Sequence, residues 1–195
     1  MKIGIYGGSF NPPHIAHLVV AESVRDQFGL DKVLWIPGYI PPHKTHLRLV
    51  DAAHRLAMVE LATASNPFFD VSDIEIARKG TSFTIDTVTD LKNNEPENTY
   101  TLVIGEDSLL DFMTWHRPAD IVDAVELLVY SRPGRADETA EALALFPNRI
   151  HFAEAPLLDV SSASLRARIK SNQSIRHLVP DPVFAYIKQH GLYQD

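Results

Sequence analysis

The chain has 195 residues, 45% hydrophobic and 22% charged, with a formal net charge of −7 and no cysteine. That length supports one domain with a full core and is short for two independent domains, while a mean hydropathy of −0.08 belongs to ordinary globular proteins. The acidic balance argues against a broad nucleic-acid footprint but not against a small polyanion held by local cations, and the missing cysteines exclude disulfides, thiolate metal sites and a thiol nucleophile.

The first residues run directly into a core strand, Lys2–Tyr6, with no basic segment and apolar stretch before it, so no signal peptide is expected. No apolar run approaches the roughly 18 residues of a membrane span. The expectation is a cytoplasmic protein that associates with neither membrane nor nucleic acid.

After that strand comes Gly7-Gly8-Ser9-Phe10-Asn11-Pro12-Pro13-His14-Ile15-Ala16-His17. Two glycines let the backbone approach a ligand closely and expose its N–H groups. The helix predicted over Ile15–Phe28, stopped by Gly29, turns the positive end of its dipole toward a phosphate lodged in the loop. His14 and His17 lie three residues apart and project from one face of the first turn, where each imidazole can donate to a phosphoryl oxygen. The loop lacks the Gly-Lys-Ser/Thr ending of a P-loop and the spacing of a Gly-x-Gly-x-x-Gly fingerprint. A metal role for the histidines is disfavoured, because no third ligand is near in sequence and a helix N-terminus prefers anions.

Val33–Ile36 reads as a second buried strand. Beyond it, Pro37-Gly38-Tyr39-Ile40-Pro41-Pro42-His43-Lys44 cannot be regular structure, and its place after a strand sets Lys44, with Arg48 as a further candidate, on the ligand side of a sheet. A helix is predicted over Asp51–Ala64, with Asp51 as N-cap and Leu56, Val59, Ala62 and Thr63 along one face. Phe69–Val71 is a weaker strand. Arg78–Thr87 leads into a helix over Thr84–Leu91, with Ser82 or Thr84 as N-cap. Strand Leu102–Ile104 then delivers Gly105-Glu106-Asp107-Ser108, where Asp107 can accept from a ribose hydroxyl. Trp115 follows, suited equally to a core and to stacking on a flat cationic heteroaromatic ring.

Leu127–Tyr130 and, more weakly, Ile150–Phe152 complete the strands. The repeated strand–helix alternation predicts an α/β fold, a doubly wound parallel sheet with helices on both faces and ligands at the carboxyl ends of its strands. The end of the chain reads as two short helices, Ser161–Lys170 and Pro182–Gln189, the latter with Asp181 as N-cap and Gly191 as stop. They are expected to form a small cap packed on the sheet. The domain limits expected are one unit, with the sheet core over about residues 1–153 and the helical part over about 154–195. Val160-Ser161-Ser162-Ala163-Ser164-Leu165-Arg166 opens the first of these helices with hydroxyls, uncommitted N–H groups and a guanidinium, a second anion site.

The first loop is similar to the Gly-Gly-Thr-Phe-Asp-Pro-x-His-x-Gly-His signature of the nucleotidylyltransferases marked by a His-x-Gly-His element. It departs at Ser9 for Thr, Asn11 for Asp and Ala16 for Gly. Further motifs, Pro41-Pro42-His43-Lys44, Ser82-Phe83-Thr84-Ile85-Asp86-Thr87, Gly105-Glu106-Asp107-Ser108, Thr114-Trp115-His116 and Arg132-Pro133-Gly134, make nearly the whole chain resemble the bacterial nicotinate-mononucleotide adenylyltransferases. The resemblance implies a Rossmann-like nucleotidyltransferase fold and a step of NAD biosynthesis, in which the adenylyl group of ATP passes to nicotinate mononucleotide.

It also implies site residues. His14, His17, Lys44 and Arg166 would act on the phosphates, and Gly7, Gly8, Ser9, Phe10, Gly105, Asp107, Ser161 and Ser162 would bind ATP and substrate. Ser82, Phe83, Thr84, Trp115 and Arg132 would surround the nicotinate. Phe83 stands where Tyr is usual, losing any phenolic contact. Ala163 replaces a threonine of the Ile-Ser-Ser-Thr-x-Ile-Arg element, with Ser164 offering its hydroxyl about 100 degrees further round the helix. Mg2+ is expected to accompany ATP, and the resemblance leaves room for a homodimer. Phosphopantetheine or nicotinamide mononucleotide as acceptor, and a nucleotide-binding regulatory module without turnover, stay open as alternatives.

Overall fold

In the computed structural model, which describes residues 1–40, 49–130, 145–156 and 158–194, the apolar runs become six parallel strands of one sheet. They are β1 (Lys2–Gly8), β2 (Lys32–Pro37), β3 (Phe69–Val71), β4 (Thr99–Gly105), β5 (Glu126–Tyr130) and β6 (Ile150–Ala153), in the order β3-β2-β1-β4-β5-β6. β1 is central: Tyr6 lies beside Trp35 of β2 on one side and Val103 of β4 on the other. The strand order reverses between β1 and β4, which opens a crevice at their carboxyl ends.

Side chains alternate across the sheet, as strand geometry requires. Ile3, Ile5, Leu102, Ile104, Leu127 and Val129 face one core, closed by Ile85, Val88 and Leu91 of α4 (Thr84–Asn94) and Ile121 and Val122 of α6 (Pro118–Ala124). Tyr6, Val33, Trp35, Val103 and Leu128 face the other, closed by Val20, Ala21 and Val24 of α1 (Ile15–Phe28) and Val59 of α2 (Ala52–Thr63). Apolar residues on both faces explain why the strands read as continuous hydrophobic runs.

Three short helices, α3 (Ile74–Arg78), α5 (Glu106–Leu110) and α6, were not predicted; one or two turns are too few to show a period. α1 matches its predicted limits, and Gly29 ends it with φ 58°, the left-handed cap that glycine adopts at no steric cost. Asp51 caps α2 by accepting from Ala53 N–H at 2.8 Å. The buried face of α2 is Arg55, Met58, Val59, Ala62 and Thr63; the last three were expected, and Arg55 is buried where Leu56 was expected.

The terminal helices α7 (Ser162–Lys170) and α8 (Asp181–Gln189) pack against α2 rather than on the sheet. Leu165, Val183 and Ile187 share a third apolar cluster with Met58 and Ala62, and no strand residue belongs to it. Pro180, not Asp181, is the N-cap of α8, so Pro182 falls one residue inside the helix. Among the described residues no helix is long and apolar enough to cross a membrane.

Candidate active site

The loop after β1 carries no regular structure: Pro12 and Pro13 have no N–H to donate, and Phe10 adopts φ 44°. Phe10 is buried, its ring 5.2 Å from those of both Trp35 and His17. The two glycines do different things. A Cβ on Gly8 would lie 3.0 Å from the Phe10 ring, so Gly8 makes room for protein; a Cβ on Gly7 would meet nothing within 4 Å. Gly7 is open toward a ligand.

His14 is the N-cap of α1 and His17 sits in its first turn. Their rings stack, with centroids 3.6 Å apart and planes 27° from parallel. His14 N–H donates to His17 Nδ1 at 3.1 Å, so Nδ1 is the acceptor and a neutral His17 carries its proton on Nε2. Burial holds the His14 imidazole down at about 4, so this ring is neutral at physiological pH. Two imidazolium rings could not stack this closely, and the low value for His14 removes that conflict. The helix N-terminus offers less than expected: Ile15 N–H is taken by Leu178 O and His17 N–H by His14 O, leaving Ala16 N–H.

Two cavities meet over this loop. The first, of about 430 Å³, is lined by Gly7, Gly8, Ser9, Phe10, His14, Ala16, His17, Ser161, Ser162, Ala163 and Arg166. The second, of about 490 Å³, is lined by Ser82, Phe83, Thr84, Asp107 and His116, with Glu75, Glu106 and Asp111 adding carboxylates. Gly7, Gly8, Ser9, Gly105, Ser108, Trp115 and Tyr130 line both. The Trp115 ring packs 5.3 Å from that of Phe112 at the edge of a core, and the residue also lines both cavities.

The hydroxyls near Arg166 have protein partners. Ser161 Oγ accepts from Ser164 N–H at 3.1 Å and Ser164 Oγ accepts from Ser161 N–H at 3.2 Å, a reciprocal cap. Ser164 is thus occupied as a cap and does not stand in for the threonine that Ala163 replaces. Ser162 Oγ donates to Pro12 O at 2.8 Å and Arg166 Nη1 to Asn11 O at 2.8 Å, so α7 is bolted to the first loop. The N–H groups of Ser162 and Ala163 lie before the first intrahelical bonds and border the first cavity.

In the second cavity the N-cap of α4 is Phe83, which has no capping side chain; Ser82 Oγ instead accepts from Tyr39 N–H at 2.9 Å. The first N–H groups of α4 are therefore uncapped beside Phe83 and Thr84. Phe83 packs on His116, ring centroids 4.4 Å apart. Asp107 follows the strand as expected and lies in the first turn of α5, which begins directly after β4. Lys44, Arg48 and Arg132 lie outside the described residues.

Sequence reasoning missed Arg55. This buried side chain donates to Val50 O at 3.1 Å, Ser9 O at 3.1 Å and Tyr39 O at 3.0 Å, and also to Gly38 O. A signal was present, since residues 55, 59 and 62 share the helical face that the apolar pattern marks as buried. Tyr130 and Glu75 also border the cavities without a motif to announce them. No group of three or more His, Asp and Glu among the described residues could hold a metal ion.

Residues 5–168 match the cytidylyltransferase-like family. A protein of Salinibacter ruber named "Probable nicotinate-nucleotide adenylyltransferase" is 47% identical over 194 residues, covering 100% of this chain and 98% of that one. Another, from Roseiflexus, is 44% identical, covering 98% of each chain. Among solved structures, the Plasmodium falciparum nicotinic acid mononucleotide adenylyltransferase complexed with NaAD superposes with TM-score 0.82 at 21% identity, over 98% of this chain and 97% of that chain, a likeness in fold.

Proposed function

Because the chain belongs to the cytidylyltransferase-like family, and within it to the nicotinate-nucleotide adenylyltransferases, we propose that it transfers the adenylyl group of ATP to nicotinate mononucleotide, giving nicotinate adenine dinucleotide and pyrophosphate. The observation that carries the reading is the pair of cavities that meet over Gly7–Ser9 at the carboxyl ends of β1 and β4. Two substrates bound side by side there bring their phosphates to the shared wall.

The first cavity takes ATP. His17 Nε2, Arg166 and the N–H groups of Ser162 and Ala163 surround its phosphates, and the resemblance adds Lys44. The second cavity takes the pyridine nucleotide. Four carboxylates, of Glu75, Glu106, Asp107 and Asp111, line it and favour a cationic pyridinium ring and ribose hydroxyls, while Trp115 offers a face for stacking. The uncapped N-terminus of α4 at Phe83 and Thr84 suits the nicotinate carboxylate. Arg132 is assigned to the same substrate by resemblance.

In the reaction, a 5′-phosphate oxygen of nicotinate mononucleotide attacks the α-phosphorus of ATP in line. A new P–O bond forms as the bond to the β-phosphate oxygen breaks, and pyrophosphate leaves. The attacking oxygen is already ionised, so no protein base takes a proton. The chain's work is positioning and neutralising charge. Mg2+, carried in on ATP, would share the charge of the pyrophosphate. In this reading the enzyme works in the cytoplasm on free nucleotides rather than on nucleic acid or a membrane, in keeping with its net charge of −7.

The test is pyrophosphate release from ATP and Mg2+ with nicotinate mononucleotide, nicotinamide mononucleotide or phosphopantetheine in turn. Turnover is expected to be fastest with the nicotinate form, and His17→Ala should lower it on the order of 100-fold at saturating substrates. Silence with every acceptor would support the binding-module alternative, and an unchanged His17→Ala rate would sink the mechanism.

A further inference from the structure

Arg55 is 1% exposed and makes no ion pair among the described residues, yet its guanidinium reaches four backbone carbonyls. Burying a charge without a carboxylate is costly unless several dipoles converge on it. Here they come from three separate places in the chain: Ser9 in the loop after β1, Gly38 and Tyr39 after β2, and Val50 at the foot of α2. An apolar residue could fill this space, but it could not register these three segments against one another. A rigid planar fork can.

Each arm leads to a cavity wall. Ser9 lines both cavities. Gly38 lines the second cavity, and Tyr39 N–H reaches the hydroxyl of Ser82, which lines it too. Ser82 N–H in turn donates to Ile40 O at 3.0 Å, so two hydrogen bonds tie the chain after β2 to the entry of α4. Arg55 lines neither cavity, but it is bonded to Ser9 on the wall that both share and to Gly38 on the wall of the second.

We infer that Arg55 is a positioning residue for adenylyl transfer, holding the loop after β1 in register with the acceptor cavity so that the two phosphates meet in line. The inference rests on the activity proposed above. Each substrate binds mostly to its own wall and survives a small shift of one wall against the other. The reaction does not, since a displacement of about 1 Å from a remote substitution can cost on the order of 100-fold.

Wild-type turnover with ATP and nicotinate mononucleotide is measured first; an inactive wild type refutes the proposed activity and leaves the geometry of Arg55 untouched. Arg55→Lys, which keeps the charge and loses the fork, is then compared for unfolding midpoint, Kd of each substrate alone, and kcat. The expected result is cooperative unfolding, each Kd within about threefold of wild type, and kcat lower by on the order of 100-fold. Unchanged kcat, or a fall in kcat matched by equal losses in both Kd values, overturns the inference. If Arg55→Lys does not fold, Arg55→Gln is measured in its place, because its neutral planar amide removes the buried charge and still reaches some of the four carbonyls. A fall in kcat that exceeds the change in nicotinate mononucleotide Kd supports the inference, and equal changes or none refute it.

Discussion

His14 shows what a single residue owes to its surroundings. Its type and spacing are visible in the sequence, but its protonation state is set by burial beside the His17 ring. In the unfolded chain the imidazole titrates near 6.5, and in the folded protein only at about 4. Between these values the unfolded state binds the extra proton, so stability is full above about 6.5 and is lost as pH falls toward 4. At 1.36 kcal/mol per unit this amounts to about 3 kcal/mol. Urea unfolding at pH 7.5 and 4.5 should show this loss in wild type and a smaller one in His14→Gln; equal losses would refute it. Gly7 and Gly8 look alike in sequence and differ in space. Because a methyl on Gly7 meets only the cavity, Gly7→Ala should leave the unfolding midpoint unchanged and raise KM for ATP about tenfold, within the roughly 1–3 kcal/mol cost of an added methyl in a filled site. A drop in midpoint with KM unchanged would show that Gly7 serves the fold instead.

Among the elements, α1, β1, β2, β4 and β5 were legible because each carries a long or unbroken apolar signal, while β3 and β6, each interrupted by a polar residue, read more weakly. Boundaries set by tertiary contacts were not. Phe83 caps α4 because Ser82 is drawn off by Tyr39, and Pro180 caps α8 in place of Asp181. The buried face of α2 was misread by one residue because an arginine occupies it, a charge that propensity alone assigns to solvent. α7 illustrates how packing serves the site. Leu165 is fully buried against α2, one residue before Arg166 and within a turn of Ser162. Leu165→Ala should cost about 2–5 kcal/mol by urea unfolding and should raise KM for ATP with less effect on KM for the acceptor. Equal rises in both would mean that α7 serves the whole site rather than the ATP side.

At the scale of the molecule, the chain's last residues close on its first loop. Tyr193 Oη donates at 2.9 Å to Asn11 Oδ1, across 182 positions of sequence, and Asn11 Oδ1 also accepts from Val50 N–H at 3.3 Å. Tyr193→Phe leaves the second bond in place, so unfolding free energy should fall by about 1 kcal/mol; no change in the urea midpoint would show the bond to be energetically idle. By itself the sequence determined the parallel doubly wound sheet, the loop with its two histidines, and the family, because local motifs and apolar periods are properties of neighbouring residues. Only the tertiary structure decided that two cavities share one wall, that His14 is neutral, that the seryl hydroxyls of α7 serve as caps and bolts, and that Arg55 ties three loops together. Those depend on burial and on bonds between segments far apart in the chain, which no local pattern encodes.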